Sequence, residues 1–237
     1  MEKDINEYLD STYLKTADEA KISEAENKKT LFSIVDEAIS CNFKCIMIRP
    51  QYVAEVFKKL NQTKTSTKVG TVVDFPFGDG STLKKVDEAK DAIKNGAFDI
   101  DFVCDYNAFK RGYFQKFDTD IIEGTKVCIE NKRLAKWIIE TGALSKEEIM
   151  KITQRIVGLV QKYFFKNAND IFIKTSTGYY SGYGANISDI KLIKSCSANL
   201  KIKASGGISS FNFASDLIFA GADRIGTSKA KLIYNQQ

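Results

Sequence analysis

The sequence contains no histidine, and this absence limits the possible chemistry more than any other feature. Serine–histidine–aspartate and cysteine–histidine catalysis are excluded, as are zinc and iron sites with histidine ligands. General acid–base catalysis then falls to Lys, Asp, Glu, Tyr or Cys. Lysine and carboxylate chemistry are therefore the first candidates for an enzymatic function.

Long apolar runs and paired cysteines are also missing. No run approaches the ~18–20 apolar residues that a membrane span needs, and the acidic, polar N-terminus is not typical of a signal or transit peptide. The five cysteines form no CxxC motif: Cys41, Cys45, Cys104, Cys128 and Cys196. We expect reduced thiols, a cytoplasmic location and no membrane association.

Charge of one sign is not concentrated anywhere. The chain has 35 basic and 30 acidic residues, a formal net charge of +5, and its lysines are scattered. Nucleic-acid binding requires a basic face with interleaved aromatic residues, and none is evident. We expect no nucleic-acid partner, whereas a small anionic substrate is compatible with this charge.

Short apolar runs rich in β-formers recur about every 30 residues along the chain. The eight runs are Tyr8–Leu14, Cys45–Ile48, Val69–Phe75, Asp99–Cys104, Ala135–Glu140, Asp170–Thr175, Lys201–Ser205 and Arg224–Thr227. Helical patterns fill the gaps, including one over 22–39 that follows a capping box formed by Thr16 and Glu19. Eight alternating units predict a single (β/α)8 TIM-barrel domain over residues 1–237. An open doubly wound sheet is the alternative, but it usually has fewer strands.

Two neighbouring runs each place a lysine at an inward position. If Ile171 and Ile173 face the helices, period-2 alternation turns Lys174 into the barrel, and the same argument turns Lys203 inward on the next strand. A buried lysine is costly without a partner or a function, and the alternative is a strand-ending lysine that extends into solvent. The sequence leaves both interpretations of Lys174 open.

The two inward lysines matter because an amine is nucleophilic only when neutral. At its ordinary pKa only about 0.04% of a lysine is neutral at pH 7. We expect the like charges of Lys174 and Lys203 to lower each other's pKa. Asp101 is also inward, between outward Ile100 and Phe102, where it can move protons, serve as a counter-ion to a lysine, or do both.

Glycine-rich segments follow the last two strands. Gly206-Gly207 precedes segment 208–219, in which a helix is expected over 211–219 with Ser209 or Ser210 as its cap. Gly226-Thr227-Ser228 ends the eighth run. Such segments expose backbone N–H groups that bind phosphate, commonly after strands 7 and 8 of a barrel. A Gly-Gly pair alone predicts only a turn. Together, the residues predict a lysine-dependent enzyme that acts on a phosphorylated carbonyl compound.

The segments around both lysines resemble motifs of the deoxyribose-phosphate aldolase family. These are Phe172-Ile-Lys-Thr-Ser-Thr-Gly-Tyr179 and Ile202-Lys-Ala-Ser-Gly-Gly-Ile208. Further segments resemble the family in the same order along the chain: Leu9-Asp-Ser-Thr12, Thr71-Val-Val-Asp-Phe-Pro-Phe-Gly78, Ile100-Asp-Phe-Val103, Ile138-Ile-Glu-Thr-Gly142 and Arg224-Ile-Gly-Thr-Ser228. The resemblance covers nearly the whole chain.

The resemblance implies a class I aldolase of deoxyribonucleotide catabolism that uses neither cofactor nor metal. It would cleave 2-deoxy-D-ribose 5-phosphate to D-glyceraldehyde 3-phosphate and acetaldehyde. By match to the motifs, Lys174 forms the Schiff base, Lys203 perturbs its pKa, and Asp101 moves protons through water. The positions that match substrate- or phosphate-binding residues are Asp10, Thr12, Thr177, Gly178, Gly206, Gly207, Gly226, Thr227 and Ser228. Barrels of this type commonly form homodimers, although the sequence indicates no interface.

Several positions depart from the family pattern without touching the three catalytic ones. Ser11 stands where histidine is frequent, Met47 where cysteine is common, and Arg49 where asparagine or tyrosine is common. Asp74 replaces a usual glycine, and Lys229 a small residue. These departures suggest a divergent member.

Two other functions fit the same residues. One is a lysine aldolase that acts on a different phosphorylated sugar, because the loops of a barrel set its substrate. The other is a non-catalytic protein that binds sugar phosphates. Such a protein would gain nothing from two buried amines, and replacing Lys174 would leave its binding unchanged.

Overall fold

Each of the eight apolar runs overlaps a β-strand in the computed structural model, which describes residues 4–237. The strands are β1 Leu9–Tyr13, β2 Cys45–Ile48, β3 Lys68–Val73, β4 Asp99–Val103, β5 Leu134–Ile138, β6 Ile171–Lys174, β7 Lys201–Ser205 and β8 Arg224–Thr227. Consecutive strands pair in parallel, and β8 pairs with β1 to close the barrel. The predicted (β/α)8 TIM barrel is confirmed.

The helices lie between the strands and cover the outside of the barrel. They are α1 Ala17–Ala20, α2 Glu24–Ser40, α3 Val53–Asn61, α4 Thr82–Lys94, α5 Tyr106–Lys110, α6 Phe114–Glu130, α7 Lys146–Tyr163, α8 Ile187–Cys196, α9 Phe211–Phe219 and α10 Ala230–Tyr234. Within residues 4–237, no helix combines the length and the apolar character that crossing a membrane requires.

The capping box formed by Thr16 and Glu19 does not begin the long helix expected over 22–39. It caps the four-residue helix α1, which ends where Lys21 adopts a left-handed backbone (φ 57°). A second capping box, Ser23 with Glu26, then begins α2. The predicted helix corresponds to α2, and the first capping box was assigned to it because a single residue with positive φ is not visible in the hydrophobic periodicity.

The main core lies between the strands and the helices. On β4, Ile100 and Phe102 are fully buried in it, and the Phe102 ring stacks on Trp137 of β5 at 4.5 Å between centroids. Gly124 of α6 provides the space for this stack, since a Cβ there would lie 2.9 Å from the Trp137 ring. The alternation along β4 then turns Asp101 to the inside of the barrel, as predicted.

Candidate active site

The barrel interior holds a layer of seven charged side chains, each at most 5% exposed. They come from six of the eight strands: Asp10, Asp99, Asp101, Lys136, Lys174, Lys203 and Arg224. Burying a charge is expensive unless it is paired. Four cations and three carboxylates interleave here, so every charge has an opposite neighbour.

Asp101 lies at the centre of the layer. Its Oδ2 accepts hydrogen bonds from Lys174 Nζ at 2.9 Å and from Lys203 Nζ at 2.8 Å. Lys136 Nζ lies 3.3 Å from the other carboxylate oxygen. The strand register explains why these side chains lie close together. Lys174 pairs with Lys203 across β6 and β7, and Asp101 pairs with Lys136 across β4 and β5. The structure thus brings together the three residues that were predicted to be catalytic.

The two central lysines have opposite pKa shifts. Burial lowers the pKa of Lys174 to about 8; Asp101 opposes this shift and the charge of Lys203 adds to it. Burial also disfavours charged Lys203, but Asp10 and Asp101 outweigh it and raise the pKa of Lys203 above its ordinary value. The expectation that both pKa values fall is therefore wrong for Lys203, since Asp10 lies 2.7 Å from its Nζ. One amine can become neutral near pH 8 while the other stays a cation.

Three further members of the charge layer were not predicted from the sequence: Lys136, Arg224 and Asp99. Lys136 forms an ion pair with Asp99, and Arg224 bridges Asp99 at 3.0 Å and Asp10 at 2.7 Å. Burial opposes ionisation of Asp10, but Arg224 and Lys203 lower its pKa to about 2. Asp10, expected among the substrate-binding residues, therefore belongs to the charge layer and does not line the cavity.

Asp10, Cys45 and Asp99 form the cluster of possible metal ligands found among residues 4–237, with ligand atoms within 4.8 Å of one another. Both carboxylates already pair with Arg224. Burial raises the pKa of the Cys45 thiol well above its ordinary value, whereas a metal needs the thiolate. These residues do not fit a metal ion.

A cavity of about 730 Å³ lies at the C-terminal ends of β1, β6, β7 and β8. Lys174 lines it, and so does Lys229, one of the departures from the family pattern. Eight of the nine predicted substrate-binding residues also line it: Thr12, Thr177, Gly178, Gly206, Gly207, Gly226, Thr227 and Ser228. The cavity therefore joins the lysine of low pKa to the glycine-rich segments.

Gly206 and Gly207 lie in the loop after β7, whereas Gly226 and Thr227 are the last two residues of β8. The helix after Gly206 and Gly207 begins at Phe211, after the N-cap Ser210, as predicted. Gly206 and Gly207 both have positive φ, 95° and 71°, which an L-residue adopts only with strain. Because a Cβ at Gly206 would lie 3.0 Å from the Ser176 hydroxyl, only glycine lets these loops approach each other so closely.

Glu140 is a further buried carboxylate at the end of β5, and the sequence indicated it only as part of a motif. Its backbone is left-handed (φ 57°), and its carboxylate accepts both the hydroxyl and the N–H of Thr177. Burial raises the pKa of Glu140, although the Thr177 hydrogen bonds oppose this. The Thr177 hydroxyl oxygen in turn accepts the N–H of Tyr179 at 3.0 Å. Glu140 thereby fixes the segment that follows Lys174.

Comparison with known proteins agrees with this geometry. Residues 8–229 match the family described as DeoC/LacD family aldolase. A deoxyribose-phosphate aldolase of Mycoplasmopsis pulmonis is 38% identical over 99% of this chain and 97% of its own, and one of Mycoplasmoides pirum is 41% identical over 83% and 84%. The crystal structure of a putative deoxyribose-phosphate aldolase from Coccidioides immitis superposes with a TM-score of 0.79 at 29% identity, covering 98% of this chain and 84% of that one.

Proposed function

Because this chain belongs to the DeoC/LacD aldolase family and is a carbon–carbon lyase, we propose that it cleaves 2-deoxy-D-ribose 5-phosphate through a Schiff base on Lys174. The products are D-glyceraldehyde 3-phosphate and acetaldehyde. The observation that carries the proposal is the buried amine of low pKa that faces a cavity lined by the glycine segments. Neutral Lys174 supplies the nucleophile, and those segments supply N–H groups for the phosphate.

The proposed reaction begins when neutral Lys174 adds to the C1 aldehyde of the open-chain sugar and water leaves. The resulting iminium draws the electron pair of the C2–C3 bond as that bond breaks, while the C3 hydroxyl loses its proton through water to Asp101. Glyceraldehyde 3-phosphate leaves, the enamine is protonated at C2, and hydrolysis releases acetaldehyde. Lys203 keeps its charge beside Asp101, which holds the carboxylate ionised.

Replacing Lys203 with leucine tests its influence on Lys174. The charge of Lys203 lowers the pKa of Lys174, so its removal raises that pKa and reduces the neutral fraction. We expect turnover at pH 7 to fall by about 10²–10⁴-fold. The rising limb of the pH–rate profile, near pH 8 in the parent, should move to higher pH. The matched control is Lys201→Leu, two residues earlier on the same strand; an unmoved limb in Lys203→Leu contradicts the proposed role.

Replacing Glu140 with glutamine tests whether it positions the phosphate end of the site. The neutral amide accepts the Thr177 hydrogen bonds more weakly than the carboxylate does, so Thr177 and the adjacent Gly178 are held less firmly. We expect KM for the phosphorylated substrate to rise about tenfold, because a hydrogen bond to a charged group contributes ~1.5–3 kcal/mol. Trapping of acetaldehyde on Lys174 should be unaffected. A Thr177→Ser control keeps the hydroxyl, and an unchanged KM in Glu140→Gln would show that the contact has no role in binding.

The substrate assignment is tested by incubating the enzyme with 2-deoxy-D-ribose 5-phosphate and measuring both products. Equimolar acetaldehyde and glyceraldehyde 3-phosphate is the expected result. Turnover of a ketose phosphate without turnover of deoxyribose 5-phosphate would indicate the other aldolase function instead. The homodimer stays a prediction, which sedimentation of the purified chain can test.

A further inference from the structure

Two lysines without an acidic partner line the cavity beside Lys174. The charged residues that line it are Lys15, Glu19, Lys174 and Lys229. The Glu19 carboxylate lies 3.6 Å from the guanidinium of Arg49, so a cation already opposes its charge. Within residues 4–237, the ammonium groups of Lys15 and Lys229 form neither an ion pair nor a hydrogen bond. The cavity therefore carries an excess of positive charge.

The barrel register places both lysines on the side of the cavity where β1 and β8 end. These two strands are neighbours, and Ser11 lies opposite Thr227. Lys15 follows the last residue of β1 by two positions, and Lys229 follows the last residue of β8 by two positions. The glycine segments that follow β7 and end β8 line the same cavity. The excess positive charge therefore lies beside the segments that are proposed to bind phosphate.

The backbone of Lys229 is held in place by a chain of hydrogen bonds. The Thr227 hydroxyl accepts the Lys229 N–H at 2.9 Å and donates to the carbonyl oxygen of Ile208 at 2.6 Å. Ile208 follows Gly207 in the loop after β7, so this chain joins the two glycine segments and keeps Lys229 beside them. Because its N–H is already bonded, Lys229 can contact an anion through its exposed ammonium group but not through its backbone.

We propose that Lys229 and Lys15 bind the phosphate group of the substrate through their ammonium groups, and thereby make this aldolase select a phosphorylated sugar by charge. The inference rests on the proposed aldolase function. A phosphate monoester carries about −1.5 to −2 charges at pH 7, which two ammonium groups balance. A hydrogen bond between an ammonium and a phosphate is stronger than one between neutral groups. An uncharged substrate gains nothing from either lysine.

Two substrates that differ in charge test the inference. Cleavage of 2-deoxy-D-ribose 5-phosphate gives kcat and KM, and borohydride trapping of acetaldehyde on Lys174 reports on the same imine site without a phosphate. Lys229→Gln and Lys15→Gln should each raise KM about three- to tenfold, the effect expected of an exposed charge pair with a dianion. The rise should be absent from acetaldehyde trapping. The matched control is Lys166→Gln, because Lys166 is an exposed lysine that lines a different cavity, beside the start of β7. It should keep the parental KM.

A conservative variant and added salt separate a charge effect from a structural one. Lys229→Arg retains a cation and should keep KM close to the parental value. Sodium chloride should raise KM in the parent more than in the double glutamine variant, since salt screens exposed charges. Proportional losses of cleavage and trapping, or an unchanged KM in both glutamine variants, would overturn the role of the lysines and leave the aldolase proposal intact. Neither cleavage nor trapping by the parent would overturn the aldolase proposal and this inference with it.

Discussion

Replacing Lys174 with leucine is expected to abolish turnover, a loss on the order of 10⁴-fold or more, because no other side chain can take over the covalent step. Lys174 lines the cavity and has a pKa of about 8. Its neighbour Lys203 has a raised pKa and stays protonated between Asp10 and Asp101. The measurement is product release from 2-deoxy-D-ribose 5-phosphate by the folded variant.

The Lys174→Leu variant should fold. Asp101 retains Lys203 and Lys136 as counter-ions, and leucine replaces a side chain whose charged form burial disfavours. Binding of inorganic phosphate should persist, since the glycine segments are untouched. Lys151→Leu, at an exposed position paired with Glu147, is the control and should keep full activity. Undiminished turnover by Lys174→Leu would rule out this residue as the nucleophile.

Replacing Asp101 with asparagine is expected to damage both stability and activity. Lys174, Lys203 and Lys136 lie within 3.3 Å of its carboxylate and would lose their shared counter-charge. Removing one partner from a buried ionic cluster typically costs about 3–5 kcal/mol of unfolding free energy. If Asp101 transfers protons as proposed, its loss should reduce kcat by a further factor of about 10²–10⁴.

The loss of stability in Asp101→Asn should depend on pH. Burial opposes ionisation of Asp101, but Lys174 and Lys203 outweigh it and lower its pKa well below the ordinary 3.8. A lowered carboxyl pKa stabilises the fold above pH 3.8, and this contribution is lost as the pH falls toward the folded-state pKa. The stability difference from the parent should therefore be complete at pH 7 and shrink in acid.

The remaining activity of Asp101→Asn should shift in the opposite direction to that of Lys203→Leu. Asp101 raises the pKa of Lys174, so its loss moves the rising limb of the pH–rate profile to lower pH. Denaturant unfolding and pH–rate profiles measure the two effects. Asp36→Asn, in an exposed pair with Lys59, should change unfolding by less than about 1 kcal/mol. An Asp101→Asn variant as stable as the parent would contradict the ionic role.

Strand alternation, a local property of the chain, predicted the inward positions of Lys203 and Asp101 and gave the inward position of Lys174 as one of two interpretations. The same alternation could have indicated Lys136, which interrupts the apolar fifth run. The raised pKa of Lys203 was not predicted, because the larger of the two carboxylate contributions comes from Asp10, on the first strand. That contact exists only once the barrel closes and brings β1 beside β8.

The loops were less accessible to sequence reasoning than the strands. The carbonyl oxygen of Leu14 accepts a hydrogen bond from the hydroxyl of Tyr179, 165 residues later in the chain. No local sequence pattern predicts such a contact. Asp74 is a position where the structure explains a departure from the family pattern. Its backbone is left-handed (φ 53°), which glycine adopts freely and aspartate tolerates. Its carboxylate then accepts the N–H of Gly80 and pairs with buried Lys85.

The Schiff base on Lys174 can be trapped by borohydride reduction of the folded enzyme with acetaldehyde, followed by peptide mass spectrometry. We expect one reduced two-carbon adduct, on Lys174, formed faster as the pH rises through about 8. This result would identify the nucleophile and the donor together. Adducts confined to exposed lysines, or none on folded protein, would contradict the Schiff-base mechanism and favour a protein that binds sugar phosphates without cleaving them.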